Sequence, residues 1–443
     1  IPVFYEKNGK EILLNQETIS HIADLFNTHG ADIWWEYEVS KLLPPSYLNE
    51  ADRWQKGVDT MDVWFDSGSS WSSVVSGKRN LNYPADLYLE GSDQHRGWFH
   101  LSLLTCLGVH QRAPYKQLLT HGFIVDKEGR KMSKSMGNTL DVSDILQQYG
   151  AEVTRWWVSS LNYENDIKVD VSFFDTASET YRKIRNTIRF LLSNLSDYTL
   201  LSKDAIQTDF QNLFPKHSIE SYVLGKLVEY EQSIHNAYRS FQFKQANQLI
   251  YECCTDLLSS FYCAITKDTL YCDAPQSPKR YRIQVAYQLI IEKLLRLIYP
   301  ILPHTSDEAY QSLYQDPSLC IALADSFDIT FDVSLQDWHD LFTARHDAQK
   351  RLEDYKEKGI DNSLDAGLKL PQTLEKFQSD TCQLADIFGV SRIQFQNNNT
   401  IDVIDLREKP RCERSWKRDE TVSLRSNGMY LSDRDFHVIK ELL

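Results

Sequence analysis

The sequence predicts a multidomain protein: an α/β region up to about residue 172, a helical bundle from there to about 335, and a small mixed tail to 443. Three textures predict it. Up to about residue 170, β-rich runs such as "DLYLE" (86 to 90) and "QLLTHGFIVD" (117 to 126) alternate with the helical-period segment "WFHLSLLTCLGV" (98 to 109), as strands joined by crossover helices do. Beyond about 171, apolar residues recur at spacings of three and four. After 336 comes a charged helical run, "WHDLFTARHDAQKRLEDYKEKG", then mixed polar segments and the basic cluster "REKPRCERSWKR".

The helical elements follow from local signals. Tyr181, Ile184, Ile188, Leu191 and Leu195 form one apolar stripe behind a Thr176/Glu179 capping box. Further helices are expected at about 219 to 239, 243 to 267 and 281 to 299. The last is stopped by "YPILPH", where Pro300 and Pro303 cannot continue the hydrogen-bond ladder, and Thr305 with Glu308 opens another.

Composition narrows the class. The chain is 42% hydrophobic and 25% charged, enough apolar material for a sizeable core. No run of about 18 apolar residues reads as a membrane helix. The start, "IPVFYEKNGK", has neither an initiator Met nor the zones of a signal peptide, which reads as a cut inside a longer protein. Eight cysteines without regular spacing point away from a disulfide framework and toward a reducing cytosol. A net charge of -14 argues against coating nucleic acid through bulk charge, while leaving room for a local basic groove.

The chemically informative stretch is "GRKMSKSMGNT" (129 to 139). Lys131 and Lys134, interleaved with Ser133 and Ser135, form a compact set of cationic and neutral donors suited to a polyphosphate whose charge grows as a leaving group departs. Gly129 and Gly137 permit backbone conformations closed to other residues. Alone, such a run also reads as a solvated basic turn.

Its context decides. With "DVWFDSGSSWSSV" (62 to 74) and "LYLEGSDQHRGWFHLSLL" (87 to 104) upstream, the chain resembles the class I aminoacyl-tRNA synthetases, specifically the bacterial isoleucyl branch. The resemblance continues through "GAEVTRWWVSS", "YRKIRNTIRFLLSNL", "DLLSSFYCAITKDTLYC" and "LLRLIYPILPHTSDEAY" and weakens after about 340. It implies a return segment from an editing insertion at 1 to 55, the second half of a Rossmann-like catalytic fold at 56 to 172, an anticodon-binding bundle at 173 to 335, and a tail at 336 to 443.

The resemblance also implies roles. Lys131 and Lys134, with Ser133 and Ser135, would meet the phosphates of ATP, which arrives with Mg²⁺. Glu90 would receive the ammonium of L-isoleucine; Gly91, Asp93 and Gln94 would hold the adenylate. Asp93 also stands where it would cap the following helix. Trp64 would wall the aliphatic pocket or pack as a core aromatic. His121 is a candidate adenylate contact or a structural histidine. The tRNA(Ile) partner would engage the bundle, and Arg411, Arg414, Trp416, Lys417 and Arg418 would stack on an unpaired base and meet phosphate, or form a basic turn around one packed Trp. The expected enzyme is a cytoplasmic, monomeric isoleucine-tRNA ligase; the rivals are a non-catalytic tRNA-binding relative and a valyl or leucyl enzyme.

Two departures stand out. Many bacterial relatives end in two C-x-x-C pairs that bind zinc, whereas the tail reads "CERSW" (412 to 416) and "SLRS" (423 to 426), so only Cys412 of four thiolates remains and zinc is not expected. The histidine-containing H-x-G-H signature and an editing insertion are also missing from these residues. A fragment that is inactive alone is therefore expected.

Overall fold

A computed structural model describes residues 1–78, 80–132, 137–325, 335, 338–379 and 384–442. The chain forms two compact units, Ile1–Phe123 with Glu164–Asp166, and Ile124–Tyr163 with Ile167–Leu443.

The first unit opens with β1 (Phe4–Glu6) and β2 (Ile12–Leu13), followed by α1 (Gln16–His29), α2 (Ile33–Glu36), α3 (Val39–Leu42) and β3 (Trp54–Lys56). β1 pairs antiparallel with both β2 and β3. Asn15 and Thr18 form a reciprocal capping box that starts α1. Phe4, Ile22, Ile33, Trp34, Leu42 and Trp54 make the core beneath. The Trp34 indole N–H reaches the Gly57 carbonyl at 3.0 Å, so a buried donor is satisfied.

Next come α4 (Val63–Gly68), β4 (Ala85–Gly91), α5 (Trp98–His110) and β5 (Tyr115–His121). β4 and β5 pair in parallel, from Ala85 opposite Tyr115 to Gly91 opposite His121. The expected strand 117 to 126 is broken: it ends at His121 and resumes as β6 (Ile124–Val125). Gly122 sits at the break, where a Cβ would fall 2.2 Å from the Asn165 carbonyl carbon. Only glycine lets the two backbones approach this closely.

In the second unit β6 pairs with β7 (Ile167–Lys168), and α6 (Val142–Ser159) lies between them in sequence. The bundle follows: α7 (Val171–Ser193), α8 (Lys203–Leu213), α9 (Ile219–Arg239), α10 (Phe243–Glu252), α11 (Cys263–Cys272), α12 (Pro278–Ile298) and α13 (Pro303–Tyr314), with a π-helical segment at Cys253–Tyr262 between α10 and α11. Two expected starts move. α7 begins at Val171, capped by Asp170 onto the Ser172 N–H, rather than at Thr176/Glu179; Phe174 is thereby buried. α13 begins at Pro303, because the missing proline N–H costs nothing in the first turn. α8 carries no strong sequence signal and was not expected.

Buried residues run unbroken along α12 from Arg282 to Leu295. Its polar groups are therefore paired in the interior. The Gln288 amide donates to the Leu201 carbonyl at 2.8 Å and accepts from the Leu201 N–H and the Tyr198 hydroxyl, both at 3.0 Å. Lys293 binds both oxygens of Glu231, at 3.0 and 2.7 Å. Arg296 and the Tyr314 hydroxyl both donate to Glu292.

The remainder holds α14 (His339–Lys356), β8 (Ala366–Pro371), α15 (Leu384–Phe388), β9 (Arg392–Gln396), β10 (Asp402–Asp405), the short pair β11 (Ser423–Leu424) and β12 (Tyr430–Leu431), and α16 (Asp433–Leu442). β8 is central, parallel to β9 and antiparallel to β10. No helix among the described residues is long and apolar enough to cross a membrane.

Replacing Gln288 with Leu keeps the volume but strands the Leu201 peptide groups and the Tyr198 hydroxyl, at about 1–3 kcal/mol for each group left unpaired. A clearly lower midpoint for the bundle in chemical denaturation is expected; an unchanged midpoint would show that these bonds contribute nothing net.

Candidate active site

The carboxyl edge of the β4–β5 pair gathers Glu90, Gly91, Asp93 and His121, four of the six residues expected around the adenylate. Glu90 ends β4 with its carboxylate exposed, accepting the Gly91 N–H at 3.3 Å and forming no ion pair among the described residues. Gly91 is buried; a Cβ there would lie 2.8 Å from Asp93 Oδ1 and 3.7 Å from the His121 ring. Glu90, Gly91, Asp93 and His121 therefore share one edge, the position at which parallel α/β sheets present their ligand-binding groups. His121 Nδ1 lies 2.8 Å from the Gly122 carbonyl, an arrangement that fixes the ring. Asp93 does not cap α5, whose N-cap position is Gly97; the Gln94 amide oxygen accepts the Trp98 N–H at 2.9 Å, while its amide nitrogen lies 3.5 Å from Asp93.

Trp64 is not a core aromatic; it is 42% exposed and lies against the backbone of Gly97, where a Cβ would meet its ring at 2.4 Å. The helix carrying it is locked to α5. Gly68 has Leu101 Cβ 2.6 Å from where its own Cβ would be. Thr105 accepts the Trp71 indole N–H at 3.0 Å and donates to the Gly68 carbonyl at 2.9 Å, and Trp98 donates to Ser70 at 3.1 Å. This contact web explains why "WFDSGSSW" and "GWFHLSLLTCL" occur together.

In the second unit, Lys131 is exposed and its backbone bridges to Val125. Ser133, Lys134 and Ser135 lie outside the described residues. The base of the stretch is organised by Asp126, whose carboxylate accepts from the Arg130 N–H (2.8 Å), the Arg130 guanidinium (2.8 Å), the Glu128 N–H (3.1 Å) and the Asn138 amide (2.9 Å). Asn138 also reaches the Lys131 carbonyl at 3.3 Å. One carboxylate thus ties residues on both sides of the lysine run. Gly129 and Gly137, at φ of 84° and 64°, occupy the left-handed region that favours glycine. The hydrogen bond from Asn138, with those of Arg130, lowers the Asp126 carboxyl from 3.8 to about 2. The sequence reading missed Asp126 and Asn138, although the D-x-x-x-R spacing across a glycine turn is a usable signal.

The tail residues are distributed unevenly. Lys417 is committed inside the protein, 2.6 Å from Asp386 and 3.1 Å from Asp268; Arg434 also binds Asp268 at 2.7 Å, and Lys279 binds Asp386 at 2.8 Å. Arg418 pairs with Asp365 at 2.6 Å. Arg414 donates to the Tyr271 carbonyl at 2.9 Å. Trp416 stays 57% exposed, with the Arg411 guanidinium 5.0 Å over its ring. A cavity of about 590 Å³ between α11 and the tail is lined by Tyr271, Arg414 and Trp416 among others. Tyr271, 56% exposed, was not foreseen.

Comparison with known proteins agrees with this layout. Residues 1–170 match the family of class I tRNA synthetases (I, L, M and V), and residues 220–370 match the anticodon-binding domain of tRNA ligases. An isoleucine–tRNA ligase of Prochlorococcus marinus strain MIT 9211 is 40% identical over 487 aligned residues, covering 100% of this chain and 49% of that one. This chain is an isoleucine–tRNA ligase homologue of the class I synthetase family. The corresponding ligase of strain NATL1A is 54% identical over 325 residues, 71% of this chain and 33% of that one. The homologue spans about half the length, or less, of these relatives. A solved ternary complex from Agrobacterium radiobacter K84, agnB2 LeuRS-tRNA-LeuAMS, overlays with a TM-score of 0.46 at 19% identity, over 68% of this chain and 40% of that one. The homologue thus combines a class I catalytic region with a helical anticodon-binding domain.

Gly68→Ala forces α4 off α5 and should destabilise the first unit by about 1–3 kcal/mol; an unshifted thermal transition would mean the helices part freely. Asp126 has its folded pKa below the unfolded value, so its contribution is complete above pH about 4 and fades as pH falls through about 2. Amide exchange at Glu128 and Arg130 should accordingly change with pH only through its intrinsic chemistry between pH 5 and 9, and speed up in Asp126→Asn; equal protection in that variant would dismiss the tie. Burial alone would raise Asp268 and Asp386, but Arg434 and Lys417 for the first, and Lys417 and Lys279 for the second, hold both below the usual carboxylate range. Their stabilisation is present above pH about 4 and lost in acid, so proteolysis within 411–442 should begin at a higher pH than unfolding of the bundle. Simultaneous loss would contradict this.

Proposed function

We propose that the polypeptide containing this chain activates L-isoleucine with ATP and transfers it to tRNA(Ile). The observation that carries this reading is the exposed Glu90 carboxylate, which forms no ion pair among the described residues, at the carboxyl edge of β4 in a chain 40% identical along its whole length to an isoleucine–tRNA ligase. A carboxylate there suits the amino-acid ammonium, with a charge-assisted hydrogen bond to each available proton. Trp64, in contact with Gly97, would offer its ring to the aliphatic side chain, and Gly91, Asp93, Gln94 and His121 would hold the adenylate. The substrate carboxylate attacks the α-phosphorus, the bond to the bridging oxygen breaks, and pyrophosphate leaves. Lys131 and Lys134 would offset its growing charge; Mg²⁺ would arrive as the ATP complex. The terminal ribose hydroxyl of the tRNA then attacks the mixed anhydride and AMP departs.

For the tRNA, exposed Trp416 and Tyr271 support stacking of unpaired bases, and Arg411 and Arg414 support phosphate contacts; the internal ion pairs of Lys417 and Arg418 weigh against a role for them. A reducing cytosolic setting is supported by the seven free cysteines among the described residues.

Pyrophosphate exchange by the full-length protein tests the reading. Exchange should depend on isoleucine, with Glu90→Gln raising the KM for isoleucine about 10- to 100-fold through loss of a charged hydrogen bond and Lys134→Ala lowering kcat about 100-fold or more. Exchange that follows valine or leucine would replace the substrate assignment. Tight tRNA binding with no exchange under any amino acid would favour the non-catalytic reading.

A further inference from the structure

The tail has a small core of its own: Cys412, Val422 and Leu431, with Phe436 and Ile439 packed against them. At its centre three side chains converge on one atom. Asp435 Oδ2 accepts from the Cys412 thiol at 3.0 Å, the Ser415 hydroxyl at 2.8 Å and the Ser432 hydroxyl at 2.9 Å. Cys412 and Asp435 have no exposed surface, and Ser432 is 6% exposed.

Part of this has a local explanation. Ser432 precedes α16 and accepts the Asp435 N–H at 3.2 Å, which is ordinary helix capping. Capping does not explain why Asp435 also gathers a thiol and a hydroxyl from a turn 20 residues away. Nor does it explain the matched spacing, Cys412-x-x-Ser415 facing Ser432-x-x-Asp435. Two x-x turns facing one another form the frame by which paired thiolates grip a tetrahedral ion.

The residues do not fit such an ion. One thiol, two hydroxyls and one carboxylate are a poor donor set for zinc, and the carboxylate oxygen already takes three protons from the other members. The structure also corrects the expected position of the second pair. Ser423 and Ser426, in "SLRS", are exposed and lie outside this cluster; the facing turn is 432 to 435.

We propose that Cys412, Ser415, Ser432 and Asp435 stand at the four corners of a tetrahedral metal site that has lost its ion, and that Asp435 now joins the two turns by hydrogen bonds. The tail is metal-independent, and its closure depends on the Asp435 carboxylate.

The test uses the full-length protein. Ser415→Cys, Ser432→Cys and Asp435→Cys are combined with native Cys412, and Co²⁺ is added to this variant and to the wild type. The expected result is one additional tightly held Co²⁺ per chain in the variant, with the visible absorption of tetrahedral thiolate coordination. A variant that takes up no more cobalt than the wild type, whether refolded with metal or without, overturns the assignment of the corners. Separately, Asp435→Asn should raise amide exchange across 411–442 about tenfold or more, as expected for loss of hydrogen bonds to a charge, while the bundle stays protected. Unchanged exchange in the tail, or loss of tail protection in wild type on chelation, overturns the claim that the carboxylate closes it.

Discussion

A helix without a solvent face constrains everything around it. From Arg282 to Leu295 each side chain of α12 is buried, so each polar group it carries must find its partner in the protein. The neighbours are arranged to supply them. The turn after α7 brings the carbonyls of Asn194 and Leu201 to Gln284 and Gln288, α9 brings Glu231 to Lys293, and α13 brings Tyr314 to Glu292. Apolar packing alone would tolerate several rotations of these helices about one another. The polar pairs admit far fewer, because a misplaced helix would leave a buried charge or amide unpaired.

The catalytic edge obeys a different rule, close approach rather than pairing. Gly68 against Leu101, Gly97 against Trp64 and Gly122 against Asn165 are contacts that a methyl group would block. They place the two sequence motifs of the first unit at fixed separation while using no charged residue of the site. Glu90 forms no ion pair among the described residues. Asp126 in the second unit is the reverse case, a carboxylate occupied by two backbone N–H groups, a guanidinium and a side-chain amide.

Much of this was readable from sequence. The β4–α5–β5 alternation and the apolar stripe of α7 are clear in the sequence, as are the helical runs at 219 to 239 and 281 to 299 that became α9 and α12. Element starts were less legible, since Asp170 and Pro303 compete with equally good caps a few residues on, and burial of Phe174 decides the first case. Lys417 and Arg418 looked like surface cations because their partners Asp268, Asp386 and Asp365 are distant in the chain. The same limit hid the Asp435 cluster: serine and aspartate in a tail announce nothing until the fold brings two turns face to face. That Gln94 rather than Asp93 accepts the first N–H of α5 is a matter of side-chain reach, which residue type alone does not settle.

Trp416 has a backbone φ of 63°, a conformation that bulky residues rarely adopt, with its N–H held by the Cys412 carbonyl at 2.9 Å and its ring beneath Arg411. The turn that fixes Cys412 therefore also fixes the direction of the indole. An aromatic surface oriented in advance loses little conformational entropy when a flat ring stacks on it. For any flat ring that stacks there, affinity would be governed by how readily the guanidinium sheds or shares its water, and discrimination would fall to the hydrogen bonds around the ring rather than to the ring itself.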